Sequence, residues 1–456
     1  MPGVMFTPIA NLGTQKFTRS PYIPTYDSIY VASSTTYKVS GSQMGSVTEG
    51  GIAKMDFSGS LDATWNNAVN VSNGPVALSL KQVRFAGGAR DSVLMDLRLV
   101  SGGIDYRDIR LVDKTTGGIV SSSGLFSDVS SSISGMDTDE EEEYIYVLGN
   151  NKLISGNVYG FNIGDATVFP KGLGRYKNGT LDIDTTFNTN IGDGPTNLFS
   201  TSDGQVKDIY VNPNGKIGVV HNGQDWNGVA NKHSNMVILN NDGTVDTSFT
   251  LGAQDFKIGN NLQANGALNT INWFESGSSG VWVVGGDFDN FGTGSSSGSY
   301  EYIMAFKEDG TIDATWTSQF QEFNPSSNLN NAVNKIVDNP NNTNNPIVIG
   351  KFTAKGGSSV SGKALMIDGA NGFPQLLSNG TKFDLEDGTI DLNGQFYYTY
   401  DGTSSMDQNF TNTIVDGMYA CQATNNIFVD TPNFDIGAGL QTSGNASATP
   451  GSIFKG

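Results

Sequence analysis

A short phrase that recurs along this chain constrains the fold more than any other feature. Each clear copy has an apolar residue, a Gly-containing turn, an aliphatic residue, an Asp, a Thr or Ser and then an aromatic residue. The clear copies occupy residues 55–65, 176–187, 239–249 and 306–316, with degenerate copies expected at 109–126 and 364–373. A period of about sixty residues predicts a chain built from repeated supersecondary units.

Each position of the phrase has a physical role. Glycine supplies the positive φ of a tight reversal, the carboxylate accepts backbone N–H bonds within the turn, and the aromatic ring is buried against the neighbouring unit. The predicted turn residues are Gly59, Asp62, Gly179, Asp182, Gly243, Asp246, Gly310 and Asp313. The predicted buried aromatic residues are Trp65, Phe187, Phe249 and Trp316.

A second pattern precedes the phrase in each unit. Two β-rich runs flank an Asn/Gly turn, as in 206–220 and 268–286, while no convincing amphipathic helix pattern occurs. About four strands in about sixty residues predict an all-β fold, a β-propeller of six or seven four-stranded blades. We expect N-terminal strands in 28–55 and C-terminal strands in 413–430 to share one blade and close the ring, which removes exposed sheet edges.

These phrases resemble the repeats of the delta-sixty β-propeller family. The match is close at 239–249 and 306–316, and the stretch Gly285-Gly286-Asp287-Phe288 is similar to that family's Gly-Gly-x-Phe. The resemblance covers about residues 26–430 and implies a propeller fold, but it implies no particular function. The sequence is thereby divided into an extended docking arm at 1–25, a propeller at 26–430 and an extended tail at 431–456.

Composition excludes several classes of function. The net charge of −19 repels nucleic acid and anionic lipid. It would suit a conduit through which DNA slides, but solubility is the favoured interpretation of this charge. One Cys and two His leave little material for a zinc site, and no run is apolar enough to span a membrane. The N-terminus lacks the pattern of a secretory signal. We expect no metal, no cofactor and no specific nucleic-acid binding.

Three groups of residues are candidates for chemistry, each with a simpler structural alternative. The acidic run 137–143 has the ligand type for a hard cation, but a solvated loop is the favoured interpretation. The repeated Asp residues are favoured as turn residues over paired catalytic carboxylates. His221 and His233 are favoured as exposed loop residues, and Trp226 has a ring that would stack on a sugar. No catalytic residue is predicted.

These observations favour a non-enzymatic structural or binding component of a large assembly, a bacteriophage virion protein associated with the tail as nozzle, adaptor or fibre attachment. The predicted location is the virion, after synthesis in the host cytoplasm. The predicted partners are other assembly proteins, bound through 1–25 and 431–456, copies of the same chain, and a host surface glycan or receptor. The alternatives are a secreted or surface bacterial adhesin with a propeller head and a propeller-type carbohydrate-active enzyme.

Overall fold

The structure is a computed structural model, and it describes thirty-two segments of the chain. These are residues 29–39, 50–55, 62–69, 76–83, 92–101, 104–122, 126–127, 133–139, 142–154, 157–159, 172–196, 204–223, 225–227, 229–230, 235–251, 255–257, 268–276, 279–288, 290–292, 301–321, 332–337, 346–351, 354–355, 358–359, 364–367, 374–376, 384–390, 395–401, 417–424, 427–430, 440–442 and 453–455. The predicted docking arm at 1–25 and Gly59 lie outside them.

The described residues form short strands and three short helices. The strands of the first half are β1 (Ile29–Val39), β2 (Gly50–Met55), β3 (Val76–Val83), β4 (Ser92–Ser101), β5 (Ile104–Asp113), β6 (Ile119–Ser122), β7 (Phe126–Ser127), β8 (Ile133–Thr138), β9 (Tyr144–Ile154), β10 (Asn157–Tyr159), β11 (Leu173–Lys177), β12 (Pro195–Thr196), β13 (Gly204–Val211), β14 (Ile217–His221), β15 (Asp225–Trp226) and β16 (Val229–Ala230). The helices are α1 (Ala63–Val69), α2 (Thr185–Asn190) and α3 (Ala314–Gln321).

The second half of the chain continues the same pattern. Its strands are β17 (Met236–Leu239), β18 (Asp255–Lys257), β19 (Leu268–Ser276), β20 (Ser279–Gly286), β21 (Asn290–Gly292), β22 (Ile303–Lys307), β23 (Val333–Val337), β24 (Ile347–Gly350), β25 (Ala354–Lys355), β26 (Ser358–Ser359), β27 (Ala364–Ile367), β28 (Pro374–Leu376), β29 (Asp384–Ile390), β30 (Gln395–Asp401), β31 (Gly417–Thr424), β32 (Ile427–Asp430), β33 (Leu440–Thr442) and β34 (Ile453–Lys455).

Within each of six sheets, neighbouring strands pair antiparallel, which produces a series of meander sheets. The series is β3–β4–β5–β6, β8–β9–β11, β13–β14–β17, β19–β20–β22, β23–β24–β27–β28 and β29–β30–β31–β32. The first strand of each sheet contacts the first strand of the next. The fold is therefore all-β, and sequential meanders arranged in this way are the organisation of propeller blades.

Successive sheets stack face to face, and the middle strands β9, β14, β20 and β24 are buried on both faces. In β9, Ile145 and Val147 pack towards the preceding sheet with Leu94 and Leu111, whereas Tyr146 packs towards the following one. In β20 the two faces likewise belong to different apolar cores. Such strands read as continuous apolar runs instead of alternating ones, which explains sequences such as 281–284 and 347–349.

A β-bulge recurs in the first strand of every sheet in the series. The pairing register shifts between Ala77 and Ser79 in the first of them, and at the corresponding place in the other five. The residue after the bulge joins neighbouring sheets: Asp208 Oδ2 accepts from Thr270 Oγ1 at 2.7 Å, and Thr270 Oγ1 accepts from Ile336 N at 3.3 Å. The bulge re-aims these side chains between sheets.

Strands from both ends of the chain lie in one sheet. Strand β1 pairs with β2 on one side, and with β33 and β34 on the other. The C-terminal partners differ from the prediction, because 417–424 and 427–430 form β31 and β32 of a different sheet. The segment 431–456, predicted as an extended tail, supplies β33 and β34 instead. The longer 417–430 hairpin matched a strand pattern in sequence, but pairing depends on where a strand lies in space.

The three helices were not predicted from the sequence. Each follows the Asp of a phrase and has six to eight residues, which is too short for a 3.6-residue periodicity to be recognised. Each contacts the outer strand of its own sheet: α1 contacts β2, α2 contacts β11 and α3 contacts β22. The helices therefore shield sheet edges.

Candidate functional site

The aromatic residues of the repeat are buried. Trp65 and Phe187 are 0% exposed, and Phe249 and Trp316 are 1% exposed. Phe187 lies on α2 and Trp316 on α3, and both rings pack into the apolar cores between neighbouring sheets. Burial of each ring between units is the packing role that the phrase predicts for it.

The repeat carboxylates are bonded within their own turns. Asp62 Oδ1 accepts from Trp65 N at 3.0 Å, and Asp313 Oδ1 accepts from Trp316 N at 2.9 Å, as N-caps of α1 and α3. Asp246 Oδ1 accepts from Ser248 N at 3.0 Å, in a turn with no helix after it. These bonds satisfy backbone donors and leave the carboxylates in structural roles.

In the second phrase the capping carboxylate belongs to Asp184 and not to the predicted Asp182. Asp184 Oδ1 accepts from Phe187 N at 3.1 Å. Ile183 forms an isolated β-bridge with Tyr176. In the later phrases the equivalent bridges join Val245 to Leu239 and Ile312 to Phe306. The sequence alignment was two residues out of register, because Leu181 at φ 60° lengthens this turn.

Each turn glycine that the structure describes has a positive φ: 89° at Gly179, 89° at Gly243 and 85° at Gly310. Two of them also lie against the preceding unit. A Cβ at Gly243 would lie 2.7 Å from Phe187 O, and one at Gly310 would lie 2.4 Å from Thr250 O. The phrase therefore both reverses the chain and locks each unit onto the one before it.

A polar residue after the aromatic, which the sequence analysis missed, completes the edge of the sheet. Lys54 N donates to Asn66 Oδ1 at 2.7 Å, and Arg175 N donates to Asn188 Oδ1 at 2.8 Å. In the last phrase Ala305 N donates to Thr317 Oγ1 at 3.2 Å. These side chains accept hydrogen bonds from backbone N–H groups of an outer strand. Without them, those N–H groups would be free to pair with another strand. In the sequence, these residues could have been found as the Asn or Thr that directly follows the aromatic residue of a phrase.

Arg175 is a cation with many bonds to its surroundings. Its Nε and Nη2 donate to Asp184 Oδ2 at 2.9 and 2.7 Å, and its Nη1 donates to Asn241 Oδ1 at 2.8 Å and to Asn241 O. The guanidinium lies 4.1 Å from the Tyr144 ring centroid and 4.2 Å from that of Phe187. It thus joins its own phrase to the turn of the next unit.

The described residues of the acidic run 137–143 are more buried than the solvated loop that the sequence favoured. Asp137 is 3% exposed and Glu142 is 2% exposed. Asp139 Oδ1 accepts from Tyr144 N at 3.0 Å, and Asn178 Nδ2 donates to Glu142 O at 2.8 Å. Burial, with the nearby charge of Glu143, raises the pKa of Asp139 to about 6. The described residues of the run are therefore bonded to the strand that follows and to the turn of their own unit's phrase.

The raised pKa of Asp139 predicts a stability that falls as pH rises. Between its unfolded pKa of 3.8 and about 6 the folded state holds more protons than the unfolded state, so ionisation costs folding energy across that window. We expect Asp139→Asn to remove this dependence, with a gain of about 1 kcal/mol at pH 7, because solvent screens part of the charge. Urea unfolding at pH 4, 5, 6 and 7 measures it.

The control variant changes a carboxylate, Asp242, whose pKa is shifted in the opposite direction. Bonds from Thr244 lower the pKa of Asp242 in an exposed turn, so its stabilising contribution is present above its unfolded pKa and disappears as pH falls. Asp242→Asn should therefore leave the loss between pH 4 and 6 in place. A pH profile of Asp139→Asn that parallels that of the unsubstituted chain would contradict the assignment.

His221 and Trp226 are buried, so His221 is not the exposed loop histidine that the sequence favoured and the Trp226 ring is not open to a sugar. His221 is 0% and Trp226 is 1% exposed, with ring centroids 5.5 Å apart. Gly223 N donates to His221 Nδ1 at 3.1 Å, and Asn235 Nδ2 donates to His221 O at 3.1 Å. The cluster anchors the β14–β17 connection. His233 lies outside the described residues.

The described part of the chain contains neither a cluster of metal-binding side chains nor a membrane-spanning helix. No group of three or more His, Cys, Asp or Glu side chains there is arranged to hold a metal ion. None of its helices combines the length and apolarity needed to cross a bilayer.

Comparison with known proteins identifies no family. No protein-family model matches the chain, and no curated protein matches it. Solved structures similar to it include the WD40 repeats of RRP9, with 8% identity, a TM-score of 0.39 and coverage of 78% of this chain and 79% of that one. The WD40 β-propeller domain of Doa1 has 9% identity, a TM-score of 0.37 and coverage of 77% and 80%. The PQQ-bound aldose sugar dehydrogenase of Streptomyces coelicolor has 12% identity, a TM-score of 0.32 and coverage of 76% and 94%.

Proposed function

We propose that this chain is a non-catalytic, propeller-type interaction subunit of a larger assembly, and more specifically a tail-associated component of a bacteriophage virion. The observation that carries the proposal is that the repeated carboxylates are engaged in structural bonds. The carboxylates of the described phrases cap turns or pair with cations of their own unit, as Asp62 does with Lys54 and Asp184 with Arg175. Side chains engaged in this way support a scaffold and not acid–base chemistry.

We also propose a ring of seven blades, with the seventh formed by β1, β2, β33 and β34. Support comes from the pairing of β1 with both C-terminal strands and from the contacts of β34 with β29 and β3. A sheet built from both ends ties the first unit to the last and leaves no end of the sheet series open. A closed ring is a rigid body with two faces for partners.

The virion role rests on composition and on chain topology. Charged residues are only 16% of the chain and the net charge is −19, which suits a surface along which DNA passes without binding. Ile29 pairs with Lys455 in the shared sheet, so the segment 1–25 joins the propeller beside the C-terminal strand. That segment contains four Pro residues together with Phe6, Ile9 and Phe17, a composition suited to docking on another subunit.

The proposed function predicts self-assembly through the N-terminal segment. We expect the full chain to form a defined oligomer in solution and a variant lacking residues 1–25 to be a monomer, with the mass of both measured by light scattering after size exclusion. Far-UV circular dichroism of the truncated variant is the control for folding. A full-length chain that is monodisperse at the 48.4 kDa monomer mass would contradict the proposal for a self-assembling subunit.

A further inference from the structure

Two adjacent apolar side chains of strand β6 are exposed. Ile119 is 59% exposed and Val120 is 40% exposed, and they are the only exposed large apolar side chains among the residues whose side chains the structure describes. Apolar residues that are exposed singly are ordinary on a protein surface, whereas exposed apolar residues that adjoin one another indicate a contact surface. We call Ile119 and Val120 the β6 pair.

A β-bulge brings both members of the pair to the surface. In the described part of the chain, β6 ends its sheet and has a partner strand, β5, on one side only. Leu111 pairs with Ser121 but Val112 pairs with Ile119, so Val120 is the extra residue of a bulge. Successive side chains of a regular strand alternate between faces, and the extra residue re-aims them. This explains why two consecutive residues are both exposed.

The first member of the pair departs from the packing of the repeat. Through its pairing with Val112, Ile119 occupies the aliphatic position of the phrase. In other units this position is filled by Ile183, Val245 and Ile312, each of which packs against an apolar core. The packing that explains an aliphatic residue at this position elsewhere is therefore reduced at Ile119.

The second member departs from the hydrogen bonding of the repeat. Val120 occupies the position at which other units have a carboxylate that accepts a backbone N–H bond of the turn, namely Asp184, Asp246 and Asp313. An exposed valine offers no acceptor and buries little surface, so neither turn chemistry nor packing within the chain accounts for it. A contact with another molecule does account for an exposed apolar pair.

The N-terminal segment has the composition to cover this pair. The β6 pair is open on the single chain, so its cover comes from outside that chain. Within residues 1–25, Phe17 lies close to Lys16 and Arg19, which are the only charged side chains of the segment. All 45 acidic residues of the protein, and 24 of its 26 basic ones, lie in the remainder of the chain. A basic, apolar segment is therefore attracted to the acidic body of a second copy.

The origin of this segment and the β6 pair lie at the same end of neighbouring sheets. Ile29, which follows the segment, pairs with Met55. The adjacent Lys54 donates from Nζ to Lys114 O at 2.8 Å, in the turn that leads into β6. Copies placed side by side around a common axis would present the segment of one copy at the level of the β6 pair of the next. A contact of this head-to-tail kind closes into a ring.

The charges around the β6 pair have both signs. Asp113 and Lys114 precede it in the turn, and Ser121 Oγ donates to Thr180 O at 3.1 Å, which places β6 beside the turn that contains the exposed Asp182. We therefore expect apolar contact with Ile119 and Val120 to hold a partner segment, while the opposite net charges of segment and body favour its approach.

We propose that the β6 pair is the acceptor for residues 16–19 of a neighbouring copy, with the Phe17 ring against Ile119 and Val120. The inference rests on the proposed function, because it names the surface to which the N-terminal segment binds during self-assembly. Each copy then contributes one segment and one acceptor, so every acceptor in a closed ring is filled.

The first test removes the acceptor and leaves the segment intact. The variant Ile119→Ser with Val120→Asp changes two exposed residues, and Asp is the residue that the other phrases have at the second position. We expect the dissociation constant of the full-chain oligomer, measured by light scattering over a dilution series, to rise more than about tenfold. Asn214→Asp, which adds the same charge at an exposed position of another sheet, should change it less than about twofold. Far-UV circular dichroism checks that both variants are folded.

The second test identifies the contact directly. The full chain carries p-benzoylphenylalanine in place of Phe17, is mixed in equal parts with the same protein labelled with nitrogen-15, and is irradiated after assembly. We expect mass spectrometry to find crosslinked peptides that join position 17 of one isotopic form to residues 115–122 of the other. Crosslinks within one isotopic form only would place the segment on its own chain and overturn the proposal, as would crosslinks between copies that avoid β6.

The two tests separate this inference from the proposed function. An oligomer that dissociates when residues 1–25 are deleted, but is unchanged by Ile119→Ser with Val120→Asp, would overturn the acceptor assignment alone. A full chain that is monomeric, or an oligomer that persists without residues 1–25, would overturn both.

Discussion

Arg175→Met is expected to lower the free energy of unfolding by about 3–5 kcal/mol, because it leaves a buried carboxylate without its cation. The side chains of Arg175 and Asp184 are 7% and 12% exposed. The substitution also removes two aromatic stacking contacts and the bonds to Asn241 in the next unit. Urea unfolding followed by tryptophan fluorescence measures the loss.

Two comparisons separate the buried pair from a general effect of removing a cation. Lys216 pairs with Asp246 of its own unit at 2.8 Å, but its side chain is 37% exposed. We therefore expect Lys216→Met to cost at most about 1 kcal/mol. The double variant Arg175→Met with Asp184→Asn should recover part of the loss, since no uncompensated charge is then buried. Equal losses for Arg175→Met and Lys216→Met would refute the special role of Arg175.

Gly310→Ala is expected to destabilise the protein by about 2–5 kcal/mol. Part of this comes from the φ of 85°, at which a Cβ costs about 1–2 kcal/mol. The remainder comes from steric overlap, because the new Cβ would lie 2.4 Å from Thr250 O and 2.7 Å from Thr250 N, and overpacking costs about 1–3 kcal/mol. Both atoms belong to the backbone of the preceding unit, so the strain is not relieved by a rotamer change.

Gly215→Ala is the matched control for this prediction. Its φ is 76°, but a Cβ there would have its nearest neighbours at 3.6 Å, on the side chain of Asn241. We expect a loss of about 1 kcal/mol from the backbone conformation alone. The difference between the two alanine variants measures the contact between units. Losses of the same size would show that the phrase reverses the chain without locking the units together.

Much of the fold was predictable because the repeat is local chemistry. Glycine at a positive φ, a carboxylate before a helix or turn and a large ring three residues later are each specified within about ten residues. This is why the phrase predicted sheets of a regular period, buried rings at Trp65 and Trp316, and carboxylates that bond within their own turns. The helices were missed because a helix of six to eight residues gives no periodic signal.

The candidate sites depended on contacts between distant residues, and those were decided by the tertiary structure. The sequence by itself determined the repeat, the all-β class and the acidic charge. The tertiary structure placed His221 and Trp226 in the interior, stacked Arg175 between rings of two elements and gave β1 its partners β33 and β34. Sequence order alone does not state which strands pair, because β1 takes its partners β33 and β34 from the other end of the chain.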